Sequence, residues 1–194
     1  MMMRIAGIDY SLTSPAICVW RGADDNRLFN FRMCDVYYLE TAQRLKRATP
    51  HEILNLHADI YPEWETEEQR HDLLSDWAMS IVQGCTVFIE GYAFATSGKS
   101  HVRSVAENSG LLKHKMYKAH QTVTSVPPTV IKKYATGKGN ANKELMYDAF
   151  SKQCVAPVEL QKTLRPKSNK LTNPTTDIVD AYWICKYGWK ESIV

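Results

Sequence analysis

CTVFIEGYAFATSGKS, residues 85–100, supports two readings that lead to different folds. From Ala93 to Ser100 it matches the loose phosphate-loop pattern of a small residue, four of any kind, then Gly-Lys-Ser. In that reading an apolar strand runs into a loop that wraps a nucleotide phosphate. From Cys85 to Glu90 it is instead an apolar strand that ends in a carboxylate. A phosphate loop normally opens on glycine, where this chain has Ala93, and it does not need acids at several other element ends. The second reading does need them, so the rest of the chain decides.

Three further acids meet that requirement. Asp9 ends the strand-like run RIAGID (4–9), and Asp177 and Asp180 lie three apart near the start of the helical pattern TTDIVDAYWICKYGW (175–189), hence on one helix face. Taken singly, Asp9 opens a turn, Glu90 pairs with a lysine and Asp177 satisfies a helix N-terminus. Taken together, on edges that one sheet would join, they describe a site. A half-buried carboxylate costs several kcal/mol unless a positive group accompanies it, and a pair of divalent cations is the simplest companion for four of them. Oxygen-only ligands select Mg²⁺ or Mn²⁺ over zinc.

Around these acids the chain alternates strands and helices. RIAGID (4–9), PAICVW (15–20) and RLFNFRMCDVYY (27–38) read as three antiparallel strands joined by turn-forming residues. EEQRHDLLSDWAMSIVQG (67–84) spaces Leu73, Leu74, Trp77, Ile81 and Val82 as a helix and closes on Gly84. TVFIE (86–90) is the fourth strand, VAENSGLLKHKMYKA (105–119) a helix and TVTSV (122–126) the fifth strand. Pro127-Pro128 opens a helix over TVIKKYA, NKELMYDAFSKQ (142–153) forms another, and the stretch from Val155 to Asn173 reads as an irregular loop. The last helix starts at a Thr175 or Thr176 cap. The expectation is an α/β fold, one domain over 1–194, with a mixed five-stranded sheet flanked by helices.

Composition narrows the partners. The chain has 194 residues and is 44% hydrophobic, enough to bury about 70% of its unfolded surface in a single core. Its five cysteines are odd in number and lack a CxxC pair, which argues against a disulfide framework or zinc knuckle and for a reducing, cytoplasmic setting. No apolar run reaches the roughly 18 residues of a membrane span, and the start shows no signal-peptide core. The net charge of +3 is unevenly spread: twelve acids face six Lys/Arg between Asp24 and Asp76, whereas Lys99 to Lys143 carries nine Lys/Arg against Glu107 alone. Such asymmetry points to a polyanion on one face.

Four blocks together carry a resemblance: IAGIDYSLTSPAI (5–17), VFIEGYAFATSGKSHVRSVAENSGLL (87–112), PPTVIKKYATGKGNANKELM (127–146) and PTTDIVDAYWI (174–184). In this order they resemble the signature blocks of RuvC-like Holliday junction resolvases, in the RNase H-like nuclease superfamily and closest in character to phage or viral members. The most specific parts are Pro128, Lys132, Lys133, Thr136, Gly137, Gly139, Ala141 and Lys143, and the DxxDA pattern that ends at Ala181. Two positions depart from the bacterial pattern. Tyr10-Ser11 stands where Pro-Gly is usual, and Ala93 stands where an aromatic is expected, with Tyr92 or Phe94 as substitutes.

The resemblance implies an RNase H-like fold and a Mg²⁺-dependent endodeoxyribonuclease that resolves four-way junctions by paired nicks. It implies two Mg²⁺ per site, with Mn²⁺ as substitute, on Asp9, Glu90, Asp177 and Asp180, and Lys143 as the cation that stabilises the phosphorane charge. DNA contacts are expected from Tyr92, Phe94, Lys99, Arg103, Lys132, Lys133 and Lys138, with Lys113, Lys115 and Lys118 extending the track. The GKGN turn (137–140) is expected to offer backbone N–H groups to a phosphate. A homodimer is implied, its contact sought around NSGLLKHKM (108–116), with branched DNA as partner and neither a membrane nor a nucleotide cofactor involved. Competing readings are a broader nuclease for flaps or RNA-DNA hybrids, a catalytically dead junction binder, and the nucleotide-binding loop at AFATSGKS.

Overall fold

The computed structural model describes residues 3–22, 28–45, 55–91, 99–154 and 171–193. Six strands form one mixed sheet: β1 (Ile5–Asp9), β2 (Ala16–Trp20), β3 (Cys34–Glu40), β4 (Leu56–Ile60), β5 (Thr86–Glu90) and β6 (Val123–Val126). Among the described residues six α-helices accompany them: α1 (Ala42–Leu45), α2 (Glu67–Val82), α3 (Lys99–Lys118), α4 (Pro128–Thr136), α5 (Lys143–Gln153) and α6 (Thr175–Ile193). The strand order is β4-β3-β2-β1-β5-β6. β1, β2 and β3 run antiparallel, as the sequence suggests, while β5 lies parallel to β1 and β6 parallel to β5.

The expected count of five strands is corrected to six. The additional strand, LHADI, pairs parallel to β3 with Val36 opposite Leu56. It is an edge strand with only Leu56 buried, so it lacks the dense β-branched and aromatic content by which a strand is recognised. The third strand is also shorter than expected. The Asn30 side chain accepts from the Arg32 N–H and opens a 3₁₀ turn over Phe31–Met33, so pairing begins only at Cys34.

Strand alternation divides the interior in two. Ala6, Ile8, Ile17, Val19, Val87 and Ile89 face α2 and α3, whose Leu74, Ala78, Leu112 and Met116 cover them. Ile5, Cys18, Val36 and Phe88 face α6, together with Phe150 and Met146 of α5. β1 and β2 are buried at all five positions each because helices cover both faces.

Two glycines allow α6 to lie close on the sheet. A Cβ on Gly7 would stand 2.1 Å from the Cys185 nitrogen and 2.6 Å from the Ala181 oxygen, and one on Gly188 would stand 2.3 Å from the Phe88 ring. On its outer side α6 is held to α5 by aromatic edges, with Phe150 and Tyr182 centroids 4.9 Å apart at 84°. The Trp183 indole N–H also donates to the Met146 carbonyl at 3.2 Å. Each such aromatic pair adds about 0.5–1.5 kcal/mol beyond area burial. These contacts fix the two helices that carry Asp177, Asp180 and Lys143 near their starts.

Candidate active site

The register brings the four acids together. In the parallel β1–β5 pair Ile8 stands opposite Ile89, so one residue further Asp9 lies beside Glu90 at the ends of adjacent central strands. Both follow the Gly7 and Phe88 face, toward α6. Ala181 lies over Gly7, and the turn of α6 that precedes it brings Asp177 and Asp180 to the same end of the sheet.

The electrostatics show how tightly these groups share one field. Asp9 is only 8% exposed; burial raises its carboxyl well above the usual range, and Glu90, Asp177 and Asp180 raise it further, against the Lys143 charge. Burial also raises Glu90, with Lys132 opposing and Asp177 adding. Asp177 is pushed up to about 6 by burial, restrained by a hydrogen bond from Ser14 and by Lys143. Asp180 is pushed up to about 7 by burial and by Glu90 and Asp177, with Lys143 and Lys132 opposing. Two lysines do not balance four acids. The proteins' ordinary answers to such a surplus are retained protons or bound cations.

The donor set fits a hard cation in kind. All four side chains offer oxygen alone, and the Asp177 Oδ2 is buried without a hydrogen-bond partner among the described residues. Among the described residues, however, no three His, Cys, Asp or Glu side chains already form a cluster that could hold a metal. The acids are neighbours in one field rather than a closed ligand shell, and binding would have to draw them inward.

Of the residues expected at the site, Asp9, Glu90, Asp177, Asp180 and Lys143 converge here. Lys132, expected on the DNA track, acts on Glu90 and Asp180 and so stands at the acid cluster as well. Lys143 donates to the Thr176 hydroxyl at 3.2 Å. Lys133 and Lys138 are exposed, on α4 and in the turn after it. Two of the four amides of that turn are already used: the Gly137 N–H donates to the Lys133 carbonyl at 2.8 Å and the Lys138 N–H to the Thr136 hydroxyl at 3.1 Å. Gly137, at φ 79°, serves as the left-handed cap of α4, and neither amide is free for a phosphate.

Arg103 is exposed and pairs with Glu107 at 2.8 Å along α3. Lys115 leaves the expected DNA track altogether, since it bridges α3 to Asp72, at 2.6 Å, and Asp76 of α2. Lys99 is the first residue of α3, six positions before the expected start of that helix. Tyr92 and Phe94 lie outside the described residues, as do residues 155–170 of the expected loop.

The part that three residues play at the site escaped sequence reasoning. Ser14, buried at 7% exposure, bonds to Asp177, and its own N–H is held by the Ser11 hydroxyl at 3.1 Å. Glu40, at the end of β3, adds negative potential at Asp177. Thr176 does not use its hydroxyl as a helix cap; it donates to the Asn173 Oδ1 at 2.8 Å. Their only signal was position: SLTS follows Asp9, Glu40 ends a strand, and Thr176 precedes Asp177.

No protein-family model matches the chain, and no curated protein matches it significantly. Solved structures do. RuvC of Thermus thermophilus in complex with a Holliday junction substrate superposes with a TM-score of 0.56 at 16% identity, covering 98% of this chain and 96% of that one. A second Thermus thermophilus RuvC structure gives 0.52 at 15% identity over the same shares. The Fowlpox virus resolvase in complex with its substrate Holliday junction DNA gives 0.54 at 12% identity, covering 99% of this chain and 100% of that one. At such identities the likeness establishes the fold: the RNase H-like α/β architecture, over essentially the whole length of both chains.

Proposed function

We propose that this chain is a RuvC-like endonuclease that resolves four-way DNA junctions by paired nicks, working as a homodimer with divalent cations. The observation that carries the reading is the convergence of Asp9, Glu90, Asp177 and Asp180 with Lys132 and Lys143 at one end of the sheet. The fold is one that two junction-bound proteins share, at full coverage.

Asp9, Glu90, Asp177 and Asp180 would hold two Mg²⁺, for which Mn²⁺ can substitute. When bound, such ions polarise a phosphate and lower the pKa of water. The chain's own part is then positional and electrostatic. Asp9, whose carboxyl feels Glu90 and both α6 acids, would be the least replaceable of the residues that hold the ions. Asp177, steadied by Ser14, would present its Oδ2, unpartnered among the described residues, to orient the attacking water. Lys143 donates to the phosphate oxygens as charge builds on them, and Lys132 offsets the negative charge of Glu90 and Asp180. Lys99, Arg103, Lys133 and Lys138 would hold the DNA backbone, with Tyr92 and Phe94 as stacking residues at the junction centre.

A labelled four-way junction, a linear duplex and a flap, each incubated with Mg²⁺ or with chelator, test this. The expected result is Mg²⁺-dependent cleavage of the junction, symmetric across the branch point, with the other substrates cut far more slowly. Asp9→Asn should abolish cleavage and leave junction binding nearly intact. Equal cleavage of all three substrates would favour the broader nuclease, and unchanged cleavage by D9N would remove the metal-site assignment.

A further inference from the structure

Lysine is an odd choice for the first position of α5. The N-terminus of a helix carries partial positive charge, so a cation in the first turn is disfavoured by roughly 0.3–1 kcal/mol. The helix is already capped by Asn142, whose side chain accepts from the Leu145 N–H at 3.0 Å. Lys143 therefore adds nothing to the start of its own helix, and its ammonium turns instead to Thr176 at the start of α6.

The chemistry of that contact sets its direction. An ammonium has three protons and no lone pair, so Lys143 must donate and Thr176 must accept. The hydroxyl has one proton, and it goes to the Asn173 Oδ1 at 2.8 Å. That leaves the lone pairs of Thr176 turned to Lys143. Thr176 is itself only 4% exposed, and its backbone is fixed by the Thr176 N–H to Thr172 carbonyl bond and by the next turn of α6. A lysine on a four-carbon stem, which free in solvent samples many rotamers, is thereby held at one N–H and keeps two for the acids and a phosphate.

Given the proposed function, we infer that Thr176 is a positioning residue: through the order Asn173, Thr176, Lys143 it holds the Lys143 ammonium over the acid cluster in the geometry used for the phosphate. Its neighbour Asp177 belongs to the cluster itself, so α6 sets both a carboxylate and the cation opposite it from consecutive residues.

Thr176→Val keeps the shape and removes the hydroxyl, and Thr176→Ser keeps the hydroxyl. In single-turnover cleavage of the junction with Mg²⁺, T176V should slow the step about ten- to a hundredfold at unchanged junction affinity, while T176S stays within about threefold of wild type. In a Lys143→Ala background T176V should add little, because the residue it positions is gone. Wild-type rates for T176V, or a full further loss on top of K143A, would overturn the inference. A second measurement needs no DNA. With the lysines reductively ¹³C-methylated, the Lys143 resonance should move in T176V and stay in place in T176S, and a resonance indifferent to both would overturn it equally. If wild type cuts no junction, the function fails while the resonance still decides the Thr176 contact.

Discussion

The acids of the site are destabilising when ionised without a cation, and this gives the protein an unusual pH dependence. Burial raises Asp177 to about 6, and burial with repulsion from neighbouring site acids raises Asp180 to about 7, both from an ordinary 3.8, and raises Asp9 as well. A raised carboxyl binds its proton more tightly in the folded chain, so its stabilising share is complete below the unfolded value and is lost as pH rises through the folded one. With chelator present, the melting temperature should therefore fall as pH climbs from about 4 to about 8. Mg²⁺ favours the ionised forms and should raise the melting temperature more at the upper end of that range than at the lower. Asp180→Asn should flatten both effects; a melting curve that rises with pH in chelator would contradict the assignment. The acids themselves were legible in the sequence because each sits at the edge of an apolar element. Ser14, Glu40 and Thr176 were not, since a hydroxyl or acid beside a motif gains its meaning only from the strand or helix brought against it.

At the scale of elements, the site depends on how closely α6 lies on β1. Gly7→Ala would put a methyl 2.1 Å from the Cys185 nitrogen, and backbone cannot swing aside as a side chain can. Overpacking of this kind costs about 1–3 kcal/mol or more, equivalent to a loss of roughly 2–12 °C in melting temperature for a chain of this size. Since α6 must lift away, the gap between Asp9 and the Asp177–Asp180 pair should widen too. G7A is expected to lose the Mg²⁺-dependent rise in melting temperature as well as part of its stability, and retention of the full Mg²⁺ response would show that α6 adjusts without moving the acids. Most elements were readable beforehand because their apolar periods are strong, as in β1, β2 and β5. LHADI was missed because an edge strand satisfies only one neighbour and one face, which leaves His57, Asp59 and Ile60 free of the usual pattern. The turn at Gly137 was recognised as a turn, but the sequence could not say that Lys133 and Thr136 already use two of its amides.

At the scale of the whole molecule, the described residues gather their acids in one cluster at one end of one sheet; under the proposed function that gives one place for a phosphodiester to be cut, whereas resolution of a four-way junction needs two cuts related by its own twofold symmetry. A C2 dimer satisfies this by bringing two copies of the cluster to one junction. The demand can be tested by separating the two copies. Co-expression of differently tagged wild-type and D9N chains, with sequential purification on both tags, yields mixed dimers that hold one competent cluster. Since D9N is expected to keep junction binding, the mixed dimer should seat normally and nick a single strand, leaving the arms joined: a cut on a denaturing gel with no resolved duplex on a native one. Wild-type dimers should give resolved duplex from paired nicks within one binding event. If the mixed species resolves junctions as wild type does, one cluster serves both strands by turning over or rebinding, and the dimeric reading fails even though the chemistry of the cluster would stand. If no mixed dimer can be isolated because wild type sediments as a monomer on junction DNA, the reading fails at an earlier step, and the cluster would belong to a nuclease that nicks branched DNA one strand at a time.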